Sequence, residues 1–307
     1  MNYWIRKKGW SLLLTAFVAC SGVAAQEPAH ITALFPEGTV KHRNLNYAGD
    51  TLRKHLLDVY LPPHAKPGTP LIVWVHGGAW MQNDKYADMG YMKGTIRGFL
   101  DSGYALASID YRWSTTAPFP AQIQDCHLAL QYLFDHAGEW KIDRNRMALI
   151  GFSAGGHLAS LLALAQNNKV QAFQPGPSGS TFRIRCVLDY YGPSDLFAIT
   201  ANPDTSVVNS RHPVALLLGA LPVDRPDLAR QASPVTYVDR NDPPFFIVQG
   251  EKDESVPNTQ SRLLYSWLQL NKVPSELIIV PNAPHYGPMF DEPWIRERLM
   301  RFLRRHL

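Results

Sequence analysis

A serine, a histidine and a carboxylate can perform covalent acyl transfer when folding brings them into line, and this chain has candidates for each. Ser153 lies in Gly151-Phe152-Ser153-Ala154-Gly155. The apolar run Met147 to Ile150 before it reads as a buried strand, and the Leu/Ala-rich stretch His157 to Ala165 after it reads as a buried helix. Strand, G-x-S-x-G and helix together describe a nucleophile turn, in which the serine hydroxyl stands out at the end of a sheet. The flanking glycines fit that role, because the turn leaves no room for side chains against the strand and helix it joins. The plainer alternative is a serine that caps a helix after a glycine turn. A second candidate is His76-Gly77-Gly78-Ala79-Trp80, entered from the apolar run Leu71 to Val75. Backbone N–H groups at such a turn can converge where a substrate carbonyl becomes an oxyanion, and one such donor is worth about two to three orders of magnitude in rate. Its plainer alternative is a glycine loop at a strand end.

Serine is a weak nucleophile at neutral pH and needs a base, and the base needs an orienting acid. Where the nucleophile sits on a strand–turn–helix elbow, the partners follow in the order serine, acid, histidine. Of eleven histidines, His285 and His306 lie beyond the last strands. His306 is the penultimate residue of a closing helix and is expected to face solvent. His285 follows the last strand at the edge of the sheet where Ser153 is expected, so it is the candidate base; His76 and His157 are alternatives because of their nearness to the motifs. For the acid, Asp253 follows the strand Phe245–Val248 by a tight turn, with Asp189, Asp195, Glu251 and Glu254 as competing carboxylates.

The elements that must position these groups alternate. Two early strands are expected over 40–50 and 52–61, then a strand at 71–75, a helix at 94–102, a strand at 104–109 and a helix at about 121–137 with Ile123, Cys126, Leu130, Leu133 and Phe134 on one face. Asp125 falls elsewhere on that helix, where it either holds Arg112 or is solvated. After the serine helix come a polar loop (166–181), a strand at 184–191, a stretch from about 192 to 242 with short helices near 213–218 and 226–230, a strand from 244 to 248, a helix at 258–270, a strand at 276–280 and a closing helix at 294–307. The expected class is α/β: a mostly parallel central sheet with helices on both faces and a small insertion over the active site.

The size of 307 residues, 46% hydrophobic and 18% charged, fits one large globular domain. Residues 1–25 read as a secretory signal peptide, with Arg6, Lys7 and Lys8 before an apolar core and Val23-Ala24-Ala25 as the cleavage region. The domain is then 26–307, exported to the periplasm or beyond. Phe17-Val18-Ala19-Cys20 also reads as a weak lipobox, which would make Cys20 a lipid anchor. Cleavage would remove three cations and no acids, leaving 27 Lys and Arg against 26 Asp and Glu, so the formal charge drops from +4 to +1. No basic stripe remains to suggest nucleic acid. No stretch has the length of a transmembrane span, no His/Cys spacing suggests a metal, and nothing calls for a cofactor. Cys126 and Cys186 are expected to be buried thiols, although export would permit a bridge. The oligomeric state is not legible.

His76-Gly77-Gly78-Ala79-Trp80, Asp110-Tyr111-Arg112, Phe119-Pro120-Ala121-Gln122, Gly151 to His157, Ala232-Ser233-Pro234 and Gly250-Glu251-Lys252-Asp253 stand in one order. Taken together they resemble the α/β-hydrolase superfamily, in the bacterial branch near acetylxylan and feruloyl esterases and hormone-sensitive-lipase-like carboxylesterases. The resemblance covers almost everything after about residue 40. It implies a triad of Ser153, Asp253 and His285, with oxyanion donors from Gly78, Ala79 and Ala154 and a contribution from Gly77. Its implied substrate is a short-chain ester, small or on a polysaccharide, with acetyl or feruloyl groups foremost. The departures are Ala79 for the family's third glycine, Gln249 where a histidine is common, and Asn83 before Asp84-Lys85 where glycine is frequent. The rival readings are an amide hydrolase on the same fold, peptidase or arylformamidase-like, and a non-catalytic binding protein.

Overall fold

The computed structural model describes residues 27–175, 181–201 and 209–307. The signal-peptide and Cys20 expectations lie outside them. Eight strands form one sheet in the order β1-β2-β4-β3-β5-β6-β7-β8: β1 (Val40–Asn46), β2 (Leu56–Leu61), β3 (Thr69–Val75), β4 (Ala105–Ile109), β5 (Ile142–Phe152), β6 (Ile184–Tyr190), β7 (Phe245–Gly250) and β8 (Ser275–Val280). β1 and β2 are antiparallel, and β2 is antiparallel to β4; every pairing from β4 to β8 is parallel. Among the described residues the helices are α1 (Ala29–Thr32), α2 (Lys93–Asp101), α3 (Ala121–Asp135), α4 (Ala154–Ala165), α5 (Pro213–Leu218), α6 (Pro226–Gln231), α7 (Thr259–Leu270) and α8 (Pro293–His306).

The parallel strands are apolar on both faces because both faces are covered. In β3, Leu71, Val73 and Val75 pack into the core shared with α3, α4 and α7, while Ile72 and Trp74 pack into the opposite core with α2 and α8. The parallel strands therefore share one C-terminal edge, and the loops that carry His76, Ser153, Asp253 and His285 all leave the sheet there.

Several boundaries differ from the expected ones for local reasons. The two early strands are shorter. Asn46 Oδ1 accepts the N–H groups of Ala48, Gly49 and Asp50, and the Tyr47 N–H bonds His55 O, so the chain turns over 47–55 instead of pairing. β5 begins five residues early, because Ile142 already pairs with Thr69 although the residues after it are polar. Cys126 and Cys186 are buried and free, so the bridge that export would have permitted is absent. His306 does not face open solvent; its half-buried ring lies 4.6 Å from that of Phe302.

Asp125 is fully buried and takes the held role. Its carboxylate accepts the Arg112 N–H at 2.8 Å and the Arg112 guanidinium through Nε and Nη2, at 2.8 and 2.6 Å. This fixes the turn after β4, beside the Tyr111 hydroxyl that donates to His76 O. Deleting one partner of a buried pair leaves the other charge uncompensated. Because Arg112 is only half-buried, Asp125→Ala should cost about 2 kcal/mol in urea unfolding, more than removal of an exposed carboxylate such as Asp227.

Candidate active site

Ser153 sits between β5 and α4 at φ 52° and ψ −117°, a strained conformation for any side chain but glycine's hydrogen. Backbone contact on both sides imposes it. A Cβ on Gly151 would stand 2.2 Å from Gly155 O, and one on Gly155 would stand 2.1 Å from Val75 O. The Ser153 N–H donates to Tyr190 O at 2.9 Å, and Ser153 O accepts the His157 N–H at 3.0 Å, so the residue is tied to β6 and to its own helix.

The base and acid arrive on neighbouring loops. Gly250 lets them touch, since a Cβ there would lie 2.2 Å from Pro284 O. Lys252 N–H donates to Ala283 O, and Glu251 Oε2 accepts the Asn282 N–H. His285 Nδ1 then lies 2.7 Å from Asp253 Oδ2, and its Nε2 lies 2.8 Å from Ser153 Oγ. The carboxylate can only accept, so Nδ1 carries the proton and Nε2 offers its lone pair to the serine hydroxyl. Asp253 is itself saturated. Oδ1 accepts the N–H groups of Ser255 and Val256, and Oδ2 accepts Gln249 Nε2 as well as the histidine. Gln249 is fully buried and held by Ser261 Oγ on its own oxygen. The residue before Gly250 is thus an amide that donates to the acid.

The competing carboxylates have other partners. Asp189 is buried under α4, where it accepts Ser160 Oγ at 2.6 Å and the Gly192 N–H at 2.9 Å, and burial pushes its carboxyl up to about 6. Asp195 accepts the N–H groups of Phe197 and Ala198, and Glu254 is exposed. Among the histidines, His306 lines a separate cavity with Ile184, at the start of β6 and therefore at the other edge of the sheet.

The loop after β3 is bound at nearly every peptide. His76 Nδ1 donates to Gly77 O at 2.6 Å, and its ring stacks on Tyr111 at 4.3 Å. Burial holds that imidazole neutral, lowering it to about 3. Gly78 O accepts from Met81 and Gln82, and Trp80 O accepts from Ser114. Gly78, Ala79 and Trp80 all have positive φ, at 117°, 51° and 59°. No described acceptor takes the N–H of Gly78, Ala79 or Ala154, so these three donors stay available beside the serine. Gly77 departs from the expectation. Its N–H donates to Asp88 Oδ2 at 2.7 Å and is not free for an oxyanion. A Cβ on Gly77 would meet Ser153 Cβ at 3.5 Å and Phe152 O at 2.9 Å, so its part is close approach.

His157 is a fully buried link. Trp80 Nε1–H donates to His157 Nδ1 at 3.1 Å, which puts the imidazole proton on Nε2, and Nε2 donates to Ala232 O at 2.7 Å. It joins the loop after β3 to the segment between β6 and β7. That segment also supplies Pro193, Ile199 and Val214 to a cleft of about 640 Å³ over Ser153 and His285. Asp88, Tyr91 and Tyr191, which no local sequence signal marked, line the same cleft. Among the described residues no group of three or more His, Cys, Asp or Glu is placed to hold a metal ion.

A family model described as BD-FAE matches residues 57–268. The chain belongs to the BD-FAE family. Its similarity extends to esterase LipQ of Mycobacterium tuberculosis, 31% identical over 236 residues, which is 76% of this chain and 54% of the relative. The chain thus spans about half the length of the curated relatives it matches. Among solved structures, a truncated carbohydrate esterase from gut microbiota superposes with a TM-score of 0.78 at 29% identity, covering 88% of this chain and 98% of that one. A bifunctional GH43-CE protein of Bacteroides eggerthii superposes with a TM-score of 0.78 at 32% identity, covering 86% of this chain and 35% of that one. The fold is that of the α/β-hydrolases, shared by this BD-FAE member with those structures.

Burial lowers the His157 imidazole to about 4 from an ordinary 6.5. Below pH 6.5 the unfolded chain takes up a proton that the folded site refuses. The stability contributed by neutral His157 is therefore complete above pH 6.5 and is lost as pH falls toward 4, on the order of 3 kcal/mol. Measured as Tm, the gap between the wild type and His157→Gln should be widest at pH 7.5 and should narrow steadily down to pH 4.5.

Proposed function

We propose that the chain is an exported serine esterase that removes short acyl groups, acetyl or feruloyl, from carbohydrate esters. The observation that carries this reading is the unbroken line from Ser153 Oγ to His285 Nε2 at 2.8 Å and from His285 Nδ1 to Asp253 at 2.7 Å. In the proposed reaction Ser153 Oγ attacks the ester carbonyl while His285 Nε2 takes the hydroxyl proton. The N–H groups of Gly78, Ala79 and Ala154 hold the oxyanion. Its collapse expels the alcohol, which leaves with the proton from His285. Water, deprotonated by the same imidazole, attacks the acyl-serine, and the acid departs as Ser153 regains its proton. Asp253 holds the tautomer and faces the imidazolium that forms at each half-reaction.

The cleft supports a carbohydrate alcohol. Its wall combines polar side chains, Gln82 and Asn83 among them, with apolar ones. Tyr286, adjacent to the base, is 64% exposed at its mouth. One structural neighbour is itself a carbohydrate esterase, which favours the same reading. Export rests on the sequence of residues 1–25; among the described residues no helix is long and apolar enough to cross a membrane.

Ser153→Ala should lose fluorophosphonate labelling and lower p-nitrophenyl acetate turnover by roughly 10⁴-fold or more, since removing a triad member leaves only binding and oxyanion stabilisation. Wild-type turnover in that variant would overturn the reading. Acetylated and feruloylated xylan fragments should be deacylated faster than matched anilides are cleaved; the reverse order would make the chain an amide hydrolase. Secreted material should begin at Gln26 by mass spectrometry.

A further inference from the structure

The most constrained group beside the nucleophile that the reaction does not use is Asp88. It follows Asn83-Asp84-Lys85 on the continuation of the loop after β3 and has a left-handed backbone at φ 69°. Both of its oxygens face partners of the cleft. Oδ2 accepts the Gly77 N–H at 2.7 Å. Oδ1 accepts the Tyr91 hydroxyl at 2.5 Å. Tyr91 has one proton, which the carboxylate takes, so the Tyr191 hydroxyl 2.9 Å away is the donor to Tyr91. Tyr191, at φ 47° on the end of β6, turns its ring against His285 with centroids 5.0 Å apart. One chain of hydrogen bonds and ring contact thus runs from the oxyanion loop through Asp88, Tyr91 and Tyr191 to the base.

The peptide that Asp88 grips is the hinge of the donor turn. Gly77 O is already taken by His76 Nδ1, and Gly77 N–H is taken by Asp88, so this residue's two backbone groups are both anchored. The next amides, those of Gly78, Ala79 and Trp80, have no described acceptor, and these residues line the cleft over Ser153 in the turn that follows. If Gly77 N–H had no internal partner, the turn could rotate and offer that amide to water or substrate in place of its neighbours. A carboxylate beside an oxyanion site has an electrostatic drawback, and burial pushes the Asp88 carboxyl above its ordinary range. What it offers there is the acceptor for the Gly77 N–H.

We infer that Asp88 is a positioning residue that sets the oxyanion loop by capturing the Gly77 amide, and that Tyr91 and Tyr191 tie this capture to the base. The inference rests on the serine-hydrolase reading. Asparagine is the informative replacement: its oxygen still accepts the Gly77 N–H, its amide can donate to Tyr91, and the charge is gone.

The test is the rate of Ser153 phosphonylation by a fluorophosphonate probe, whose phosphoryl oxygen needs the same donors, together with p-nitrophenyl acetate kinetics. Asp88→Ala should lower the maximal inactivation rate and kcat by about 100-fold, the scale of one lost oxyanion donor, with Ki and KM changed less than about threefold. Asp88→Asn should stay within about fivefold of wild type. Tyr91→Phe should fall by about three- to tenfold with Ki unchanged. Wild-type inactivation by Asp88→Ala, or an Asp88→Asn protein as slow as Asp88→Ala, overturns the inference. If Asp88→Ala does not fold, an unchanged inactivation rate in Tyr91→Phe overturns it instead. A wild-type protein that is never labelled at Ser153 overturns the hydrolase reading and this inference together, whereas a labelled wild type with an indifferent Asp88→Ala overturns this inference alone.

Discussion

Ser153 holds its hydroxyl clear of the sheet because two stretches of backbone approach more closely than any side chain permits. Gly151 lies against Gly155, and Gly155 lies against Val75, so strand β5, helix α4 and strand β3 meet at one point with only hydrogens between them. The strain at φ 52° is sustained by the packing around it: α4 is buried along its whole length, and Ser153 N–H is held by Tyr190 O. Loosening either contact would let the turn relax, and the hydroxyl would lose its place before any change at His285 or Asp253.

Placed on that turn, the other groups are held by exhausting the hydrogen-bonding choices of their loops. Asp253 has four donors around two oxygens, which leaves its carboxylate a single geometry relative to His285. The loop after β3 gives its Gly77, Gly78 and Trp80 carbonyls and its Gly77 N–H to internal partners. The amides of Gly78, Ala79 and Ala154 have no described acceptor, and in the proposed reaction an oxyanion would supply the one they lack. Ala79 is tolerated in this loop because its φ of 51° is close to the small left-handed region that non-glycine residues can occupy.

Much of this was legible in the residues. The elbow was marked by its own glycines, the acid and base by their places after strands, and the sheet by runs such as Leu71 to Val75 that are apolar at successive positions. What the residues do not report is which distant partner takes a polar group. A glycine-rich turn advertises free amides, which puts Gly77 among the expected donors, but the acceptor that takes its N–H lies eleven residues on, in a stretch without periodicity. Gln249 stands as a departure from the pattern, and what it does there depends on Ser261, Val256 and Asp253, which only the fold brings near. The early strands ended short because Asn46 bonds three successive amides, a choice between turn and ladder that the apolar pattern does not report.

Three histidines lie beside the chemistry, and their ring nitrogens separate them. His285 has a carboxylate on Nδ1 and a hydroxyl on Nε2, so gaining a proton at Nε2 creates a cation that Asp253 already faces. His157 has an indole donor on Nδ1 and a carbonyl on Nε2, so a second proton would point at Trp80 Nε1–H, and burial lowers its basicity to about 4. His76 donates Nδ1–H to Gly77 O, while its Nε2 lies 3.8 Å from Asp110 Oδ1, outside hydrogen-bond reach, and burial again keeps it neutral. The same side chain therefore bridges a carboxylate and a hydroxyl in one place and is a neutral, buried link in two others. Acyl transfer asks for an imidazole with an acceptor on one nitrogen and a removable proton opposite the other, and of these three His285 has that partner set, which is why the proposed reaction is built on it.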